Sequence, residues 1–268
     1  MKFAHRPKKS LGQNFLIDNN IINKIVKIAD IDENKDVMEI GSGYGNLTES
    51  IALLKPKKIF AIEKDKNLAL HLNNRFKNFK NIKIIKKDIL NLIKKNNFGK
   101  NIIVFGNLPY NISTKILATL ILLEKWPPWY DTLILMFQSE VAERILAKAQ
   151  SKEFGRLAVL SNWRLEVKKH FKVSNNSFFP KPKISSTVLS FKLKKNNLFN
   201  LKNPHNLEKI TRVLFSNRRK MINKSFKKLF NQNKTIIKDL NINLNQRPGE
   251  LSCEMYYKIA TQYEKLFG

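Results

Sequence analysis

Apolar and polar positions along the chain follow two rhythms. Short apolar runs recur at Asp36–Ile40, Lys57–Glu63, Ile82–Lys86, Ile102–Phe105 and Thr132–Phe137. Ile102–Phe105 is unbroken, as in a strand buried on both faces, and the others read as further strands of one sheet. Between them runs a helical period. Ile21, Ile22, Ile25, Ile28 and Ala29 share one face behind Asp18, a residue type that caps helices. Helices are predicted over residues 46–54, 114–123, 138–149 and 154–163, and two last strands over Leu165–Val173 and Thr187–Leu193. The strand rhythm stops at Lys194-Lys195-Asn196-Asn197. Beyond it Leu207, Ile210, Val213 and Leu214 form one apolar stripe, and Ser252 can cap a closing helix, Glu254–Phe267. The pattern predicts an α/β domain over residues 1–195 and a small helical domain over residues 196–268.

Chemistry-bearing residues gather where the strands run out. Gly41-Ser42-Gly43-Tyr44-Gly45 follows the first strand and opens a helix, a turn in which the backbone can approach a ligand closely. Glu63 ends the second strand 22 residues after Gly41, the position from which an acid accepts hydrogen bonds from ribose hydroxyls. Asp88 follows the third strand and can accept from an adenine amine. Each acid taken singly is also placed to cap the next helix. Asn107-Leu108-Pro109-Tyr110 follows the fourth strand: an amide with both donor and acceptor, a stiff proline and a flat ring. That set suits a planar amine-bearing ring, and equally a turn whose tyrosine caps the core. Phe178-Phe179-Pro180-Lys181-Pro182-Lys183 cannot lie inside a sheet. It is a stiff loop with aromatic and basic residues at its surface, or a plug on the sheet's end.

Charge narrows the partner. The 268 residues carry a formal net charge of +29, far more than solubility requires, which points to a polyanion such as nucleic acid. A lysine-rich composition accounts for part of the surplus but not for so few acids. Arg218-Arg219-Lys220 with Lys224, Lys227 and Lys228 loads the helical lobe with phosphate-seeking charge. The single cysteine, Cys253, excludes an intrachain disulfide and fits a reducing compartment. No metal-ligand cluster, signal-peptide pattern or membrane-length apolar run is evident, so a cytoplasmic chain without metal is expected.

The motifs together resemble the ribosomal RNA adenine dimethyltransferases. Lys9–Leu16, the Glu39–Thr48 glycine segment, Asn107–Tyr110, Gln138–Arg144, Phe154–Leu157 and Phe178–Lys183 follow the order seen in that family, and the C-terminal lobe with Asn217-Arg218-Arg219-Lys220 is similar to that of its small-subunit branch. The resemblance implies a class I S-adenosylmethionine-dependent methyltransferase: a Rossmann-like seven-stranded mixed sheet, its last strand inserted antiparallel, with a small C-terminal helical domain. It implies S-adenosylmethionine held by Asn14, Leu16, Gly41, Glu63, Asp88 and Asn107. It implies a catalytic group of Asn107, Leu108, Pro109, Tyr110 and Phe178, with Phe178 stacking on the target base. The implied reaction is dimethylation of the 6-amino groups of two adjacent adenines in the 3′-terminal hairpin of 16S rRNA. The partner implied is that RNA within the assembling small ribosomal subunit, met by a monomer. Ser42 stands where the family commonly has proline, and a second phenylalanine, Phe179, follows Phe178.

Overall fold

The computed structural model describes residues 7–8, 11–93, 98–196, 198–231 and 233–268. Lys9, Ser10 and Asn197, which belong to motifs named above, lie outside them. The chain forms two compact units. The first takes in residues up to 120, 127–142 and 167–193; the second takes in 121–126, 143–166 and 194–268.

The first unit is built on seven strands. They are β2 (Asp36–Ile40), β3 (Lys58–Glu63), β4 (Ile82–Lys86), β5 (Ile102–Asn107), β6 (Tyr130–Gln138), β7 (Leu165–Val173) and β9 (Ser186–Leu193), in the spatial order β4-β3-β2-β5-β6-β9-β7. The apolar runs of β2, β3, β5, β6 and β9 form strands because nearly every residue in them is buried: Val37, Ile59, Ile102, Val104, Phe105, Leu133 and Phe137 are all wholly covered. Strands β4, β3, β2, β5 and β6 are parallel, with Ile40 opposite Gly106 and Asn107 opposite Met136. The last strand, β9, is antiparallel to β6 and lies between β6 and β7, as expected. Parallel strands deliver their carboxyl ends to one edge, so the loops after β2, β3, β4 and β5 converge there.

A second, two-stranded sheet has no counterpart in the sequence reading. β1 (Phe15–Leu16) pairs antiparallel with β8 (Phe178–Phe179), Leu16 opposite Phe178 and Phe15 opposite Phe179. The join is extended where Ile17 N–H donates to Ser177 O (2.9 Å) and Ser177 Oγ to Asp18 Oδ2 (3.0 Å). Partners so far apart in sequence leave no local signal.

The connecting helices are α1 (Asn19–Val26), α2 (Asn46–Ala52), α3 (Lys66–Arg75), α4 (Ile89–Leu92), α5 (Ser113–Ile121) and α6 (Ser139–Leu146). Asp18 caps α1 as predicted, accepting from the Asn20 and Ile21 N–H groups at 3.0 and 3.2 Å. Ser113 opens α5, and its hydroxyl donates to Tyr110 O (3.2 Å).

The second unit is helical, with α7 (Arg156–Arg164), α8 (His205–Leu214), α9 (Asn223–Phe230), α10 (Lys234–Leu240) and α11 (Cys253–Phe267). It is therefore not the continuous stretch 196–268 that the pattern outlined, because α7 packs there. Six of the nine residues of α7 are buried, Val159 O accepts from Tyr257 of α11 (2.9 Å), and Trp163 Nε1 donates to Phe199 O (2.8 Å). The Arg164 guanidinium sits over the rings of Trp163 and Trp126, at 3.8 and 4.4 Å from their centroids. Ser252 caps α11 as predicted, accepting from Met255 N–H at 3.1 Å. No helix among the described residues is long and apolar enough to cross a membrane.

Candidate active site

One pocket lies at the carboxyl edge of the first unit's sheet. The glycine turn, Glu63 and Lys64, Lys87 and Asp88, residues 107–112 and arm residues 11–15 all line it. Asn14, Gly41, Glu63, Asp88, Asn107, Leu108, Pro109 and Tyr110 are thus brought together as the sequence implied.

The glycine turn is held from below. The Gly41 and Ser42 N–H groups donate to Ile62 O (2.9 and 3.2 Å), and Gly43 N–H donates to Glu63 Oε2 (2.9 Å). Gly41 (φ +76°) and Gly43 (φ +55°) lie in the left-handed region that favours glycine. A side chain at Gly41 would enter the space before Asn107, its Cβ 3.6 Å from Asn107 O, and one at Gly43 would strike the Phe15 ring at 2.8 Å. Beneath the turn Glu39 is buried and accepts from the Thr48 hydroxyl. Burial raises its pKa to about 8, against the pull of that hydrogen bond.

Glu63 is engaged on both oxygens, since Oε1 accepts from Asp65 N–H at 2.8 Å. Burial raises its pKa, partly offset by the main-chain N–H groups of Asp65, Gly43 and Lys64. A carboxylate has about four acceptor positions, so the main-chain donors do not fill them all. Asp88 takes the helix-cap role, one of the two the sequence left open. Its Oδ1 caps α4 through Leu90 N–H (2.9 Å), and its Oδ2 lies 3.0 Å from Lys64 Nζ at the pocket wall. Burial alone would raise its pKa, but Lys64, the Leu90 N–H and Lys115 outweigh it and hold Asp88 below its ordinary value. The helix cap of α3 is Asp65, whose buried carboxylate also pairs with Lys8 of the arm at 2.6 Å.

Asn107 ends β5, and its Nδ2 donates to the main-chain oxygen of Asn14 (2.8 Å). The amide's donor end is therefore fixed on the arm, and its oxygen is the end left for a ligand. Leu108 is buried against Gly106, where a Cβ would lie 2.7 Å from Leu108 Cδ2. Pro109 O accepts from Ile112 N–H (3.1 Å), closing the turn. Tyr110 is half-buried, with its hydroxyl 2.7 Å from Ser186 Oγ.

Two of the expected site residues are elsewhere. Leu16 does not line the pocket; its side chain is buried in the core beside Ile22 and Ile25, and its main-chain oxygen accepts from Asn46 Nδ2 (3.0 Å). Phe178 belongs to the same core at 3% exposure, whereas Phe179 is 39% exposed. Successive residues of a strand point to opposite faces, so β8 turns one ring inward and the next outward. The sequence missed Lys8, Lys64, Asp65 and Ser186. Only Lys64 and Asp65 carry a signal, a charge beside a strand-end acid.

The donor set fits S-adenosylmethionine: a glycine cradle that a Cβ would fill, an acid with free acceptor positions, and a second acid held ionised.

The model of the ribosomal RNA adenine dimethylase family matches residues 4–265. A Pelagibacter ubique protein named ribosomal RNA small subunit methyltransferase A is 49% identical over 263 residues, which cover 98% of this chain and 99% of the relative. The crystal structure of a dimethyladenosine transferase from Plasmodium falciparum superposes with a TM-score of 0.77 at 25% identity, covering 94% of this chain and 98% of that one. A 23S rRNA methyltransferase, ErmE, shares the fold with a TM-score of 0.66 at 20% identity, covering 94% of this chain and 99% of its own.

Proposed function

The chain belongs to the ribosomal RNA adenine dimethylase family, and we propose that it dimethylates two adjacent adenines in the 3′-terminal hairpin of 16S rRNA within the assembling small subunit. S-adenosylmethionine supplies, when bound, the electrophilic methyl group. Gly41 and its turn, Glu63, Asp88 and Asn14 hold that donor. On this reading the protein acts as a monomer in the cytoplasm.

The work of the chain's own residues is orientation. An adenine amine is a poor nucleophile because its lone pair is delocalised into the ring. Asn107 Oδ1 and a main-chain carbonyl of the Asn107–Leu108 turn accept the amine's hydrogens, which favours a pyramidal nitrogen turned toward the glycine side of the pocket. Tyr110 and the exposed Phe179, in place of Phe178, offer flat faces to the extruded base. Base stacking on such rings contributes about 1–3 kcal/mol each. Alignment of the reacting atoms can supply up to about 7–11 kcal/mol of the barrier. No general base is required, since the cationic product loses its proton readily to water. The methylated amine keeps one hydrogen and a lone pair, so a second transfer proceeds with one of the two acceptor contacts retained.

The observation that carries this reading is the Asn107 amide tied by its donor end to Asn14 O at 2.8 Å, inside the pocket lined by the glycine turn. The test is incubation with methyl-labelled S-adenosylmethionine and either undermethylated small subunits or naked 16S rRNA, followed by mapping of the modified base. Label on the 6-amino groups of two neighbouring adenines is expected. Label on another base, or none, overturns the reading.

A further inference from the structure

We infer that Ser186 is a positioning residue for the target base, acting through the Tyr110 hydroxyl to fix the direction in which the Tyr110 ring projects. The inference rests on the function proposed above. Tyr110 lines the pocket at the end of the Asn107–Tyr110 turn, and its hydroxyl lies 2.7 Å from Ser186 Oγ. A tyrosine ring on a surface turn swings about two torsions; the hydroxyl lies on the axis of the second, so a bond there fixes the first and with it where the ring projects. Ser186 is a firm anchor for that bond. It is fully buried and opens β9 opposite Gln138, the last residue of β6.

The residues beside it are pinned as well. Ser139 N–H donates to Ser185 O (3.0 Å), and Ser139 Oγ lies 3.1 Å from both Ser185 Oγ and Thr187 Oγ1. Ser186 is also where the stiff loop bearing Phe179 enters the sheet. One hydroxyl pair therefore joins the two segments that carry the proposed stacking rings. Because the Tyr110 hydroxyl is engaged by Ser186, the ring rather than the hydroxyl is what Tyr110 presents to a ligand. Burial holds the phenol above its ordinary pKa, so it stays a neutral hydrogen-bonding group at working pH.

The test is a double-mutant cycle on undermethylated small subunits with S-adenosylmethionine, using Ser186→Ala, Tyr110→Phe and the pair. Each single change is expected to lower kcat/KM for the RNA by about 2- to 12-fold, the worth of one ordinary hydrogen bond. The pair is expected to be no worse than the poorer single variant, since both remove the same bond. Cofactor affinity by calorimetry is expected to be unchanged throughout. Penalties that multiply, or Ser186→Ala at the wild-type kcat/KM, overturn the inference. Should Ser186→Ala fail to fold, Tyr110→Phe removes the bond without disturbing the buried strand, and wild-type kcat/KM in that variant is then the overturning result. A wild-type protein that methylates no adenine overturns the proposed function as well; multiplicative penalties in an active enzyme overturn the Ser186 role alone.

Discussion

Single residues in this pocket are set by what their neighbours leave unoccupied. Asn107 is the plainest case, because Asn14 O takes one of its two amide hydrogens and the side-chain oxygen remains. Asn107→Ala is expected to cut kcat by about 10²–10³-fold, as loss of one preorganised polar contact does elsewhere. Calorimetry should show S-adenosylmethionine still bound, and normal single-turnover methylation by this variant would remove Asn107 from the reaction. Glu39 gives a second expectation. Its folded pKa is raised from 4.5 to about 8, so between those values the native state holds a proton that the unfolded chain has lost. Stability must then fall as pH rises through that window, with the full penalty present above about 8. Glu39→Gln keeps a neutral side chain at every pH. Chemical denaturation of both proteins in matched buffers should show the variant gaining on the wild type from pH 5 to pH 8. A constant difference would mean that the carboxyl does not titrate there.

At the scale of elements, the ladder of β1 with β8 decides which of two adjacent phenylalanines is core. Phe178 faces Ile22 and Leu16 inside, and Phe179 faces out. Phe178→Ala is expected to destabilise the fold by about 3–5 kcal/mol. Phe179→Ala should leave stability within about 0.5 kcal/mol, as at other exposed positions, while weakening binding of the target RNA by about 1–3 kcal/mol. Denaturation midpoints and RNA titrations of the two variants separate the roles, and the reverse result would exchange them. The sequence could not choose between these rings, because a two-residue strand has no period to read. Central strands were readable for the opposite reason: Ile102–Phe105 and Thr132–Phe137 are covered on both faces, and only unbroken apolar runs survive that. The strand-end acids and Asn107 were readable because the order of strand, turn and helix alone puts them at one edge.

At the scale of the molecule, partition into units was not readable. α7 mixes apolar residues with an arginine at each end, and nothing in it says which neighbours will cover it; it belongs with 194–268 rather than with the sheet. Charge was readable directly, and +29 has a measurable consequence. If six to ten phosphates are contacted, affinity for RNA should drop by about 10³–10⁵ between 50 and 200 mM salt. Titrations across that range with naked 16S rRNA check it, and binding indifferent to salt would leave the basic lobe without its proposed role. The pairing of residues 15–16 with 178–179 reaches across most of the chain. Trimming the start of the protein through Leu16 would therefore cut one rail of a two-rail track whose other rail lies far downstream. Such a shortened chain would still own every strand-end acid, yet it would hold its target loosely.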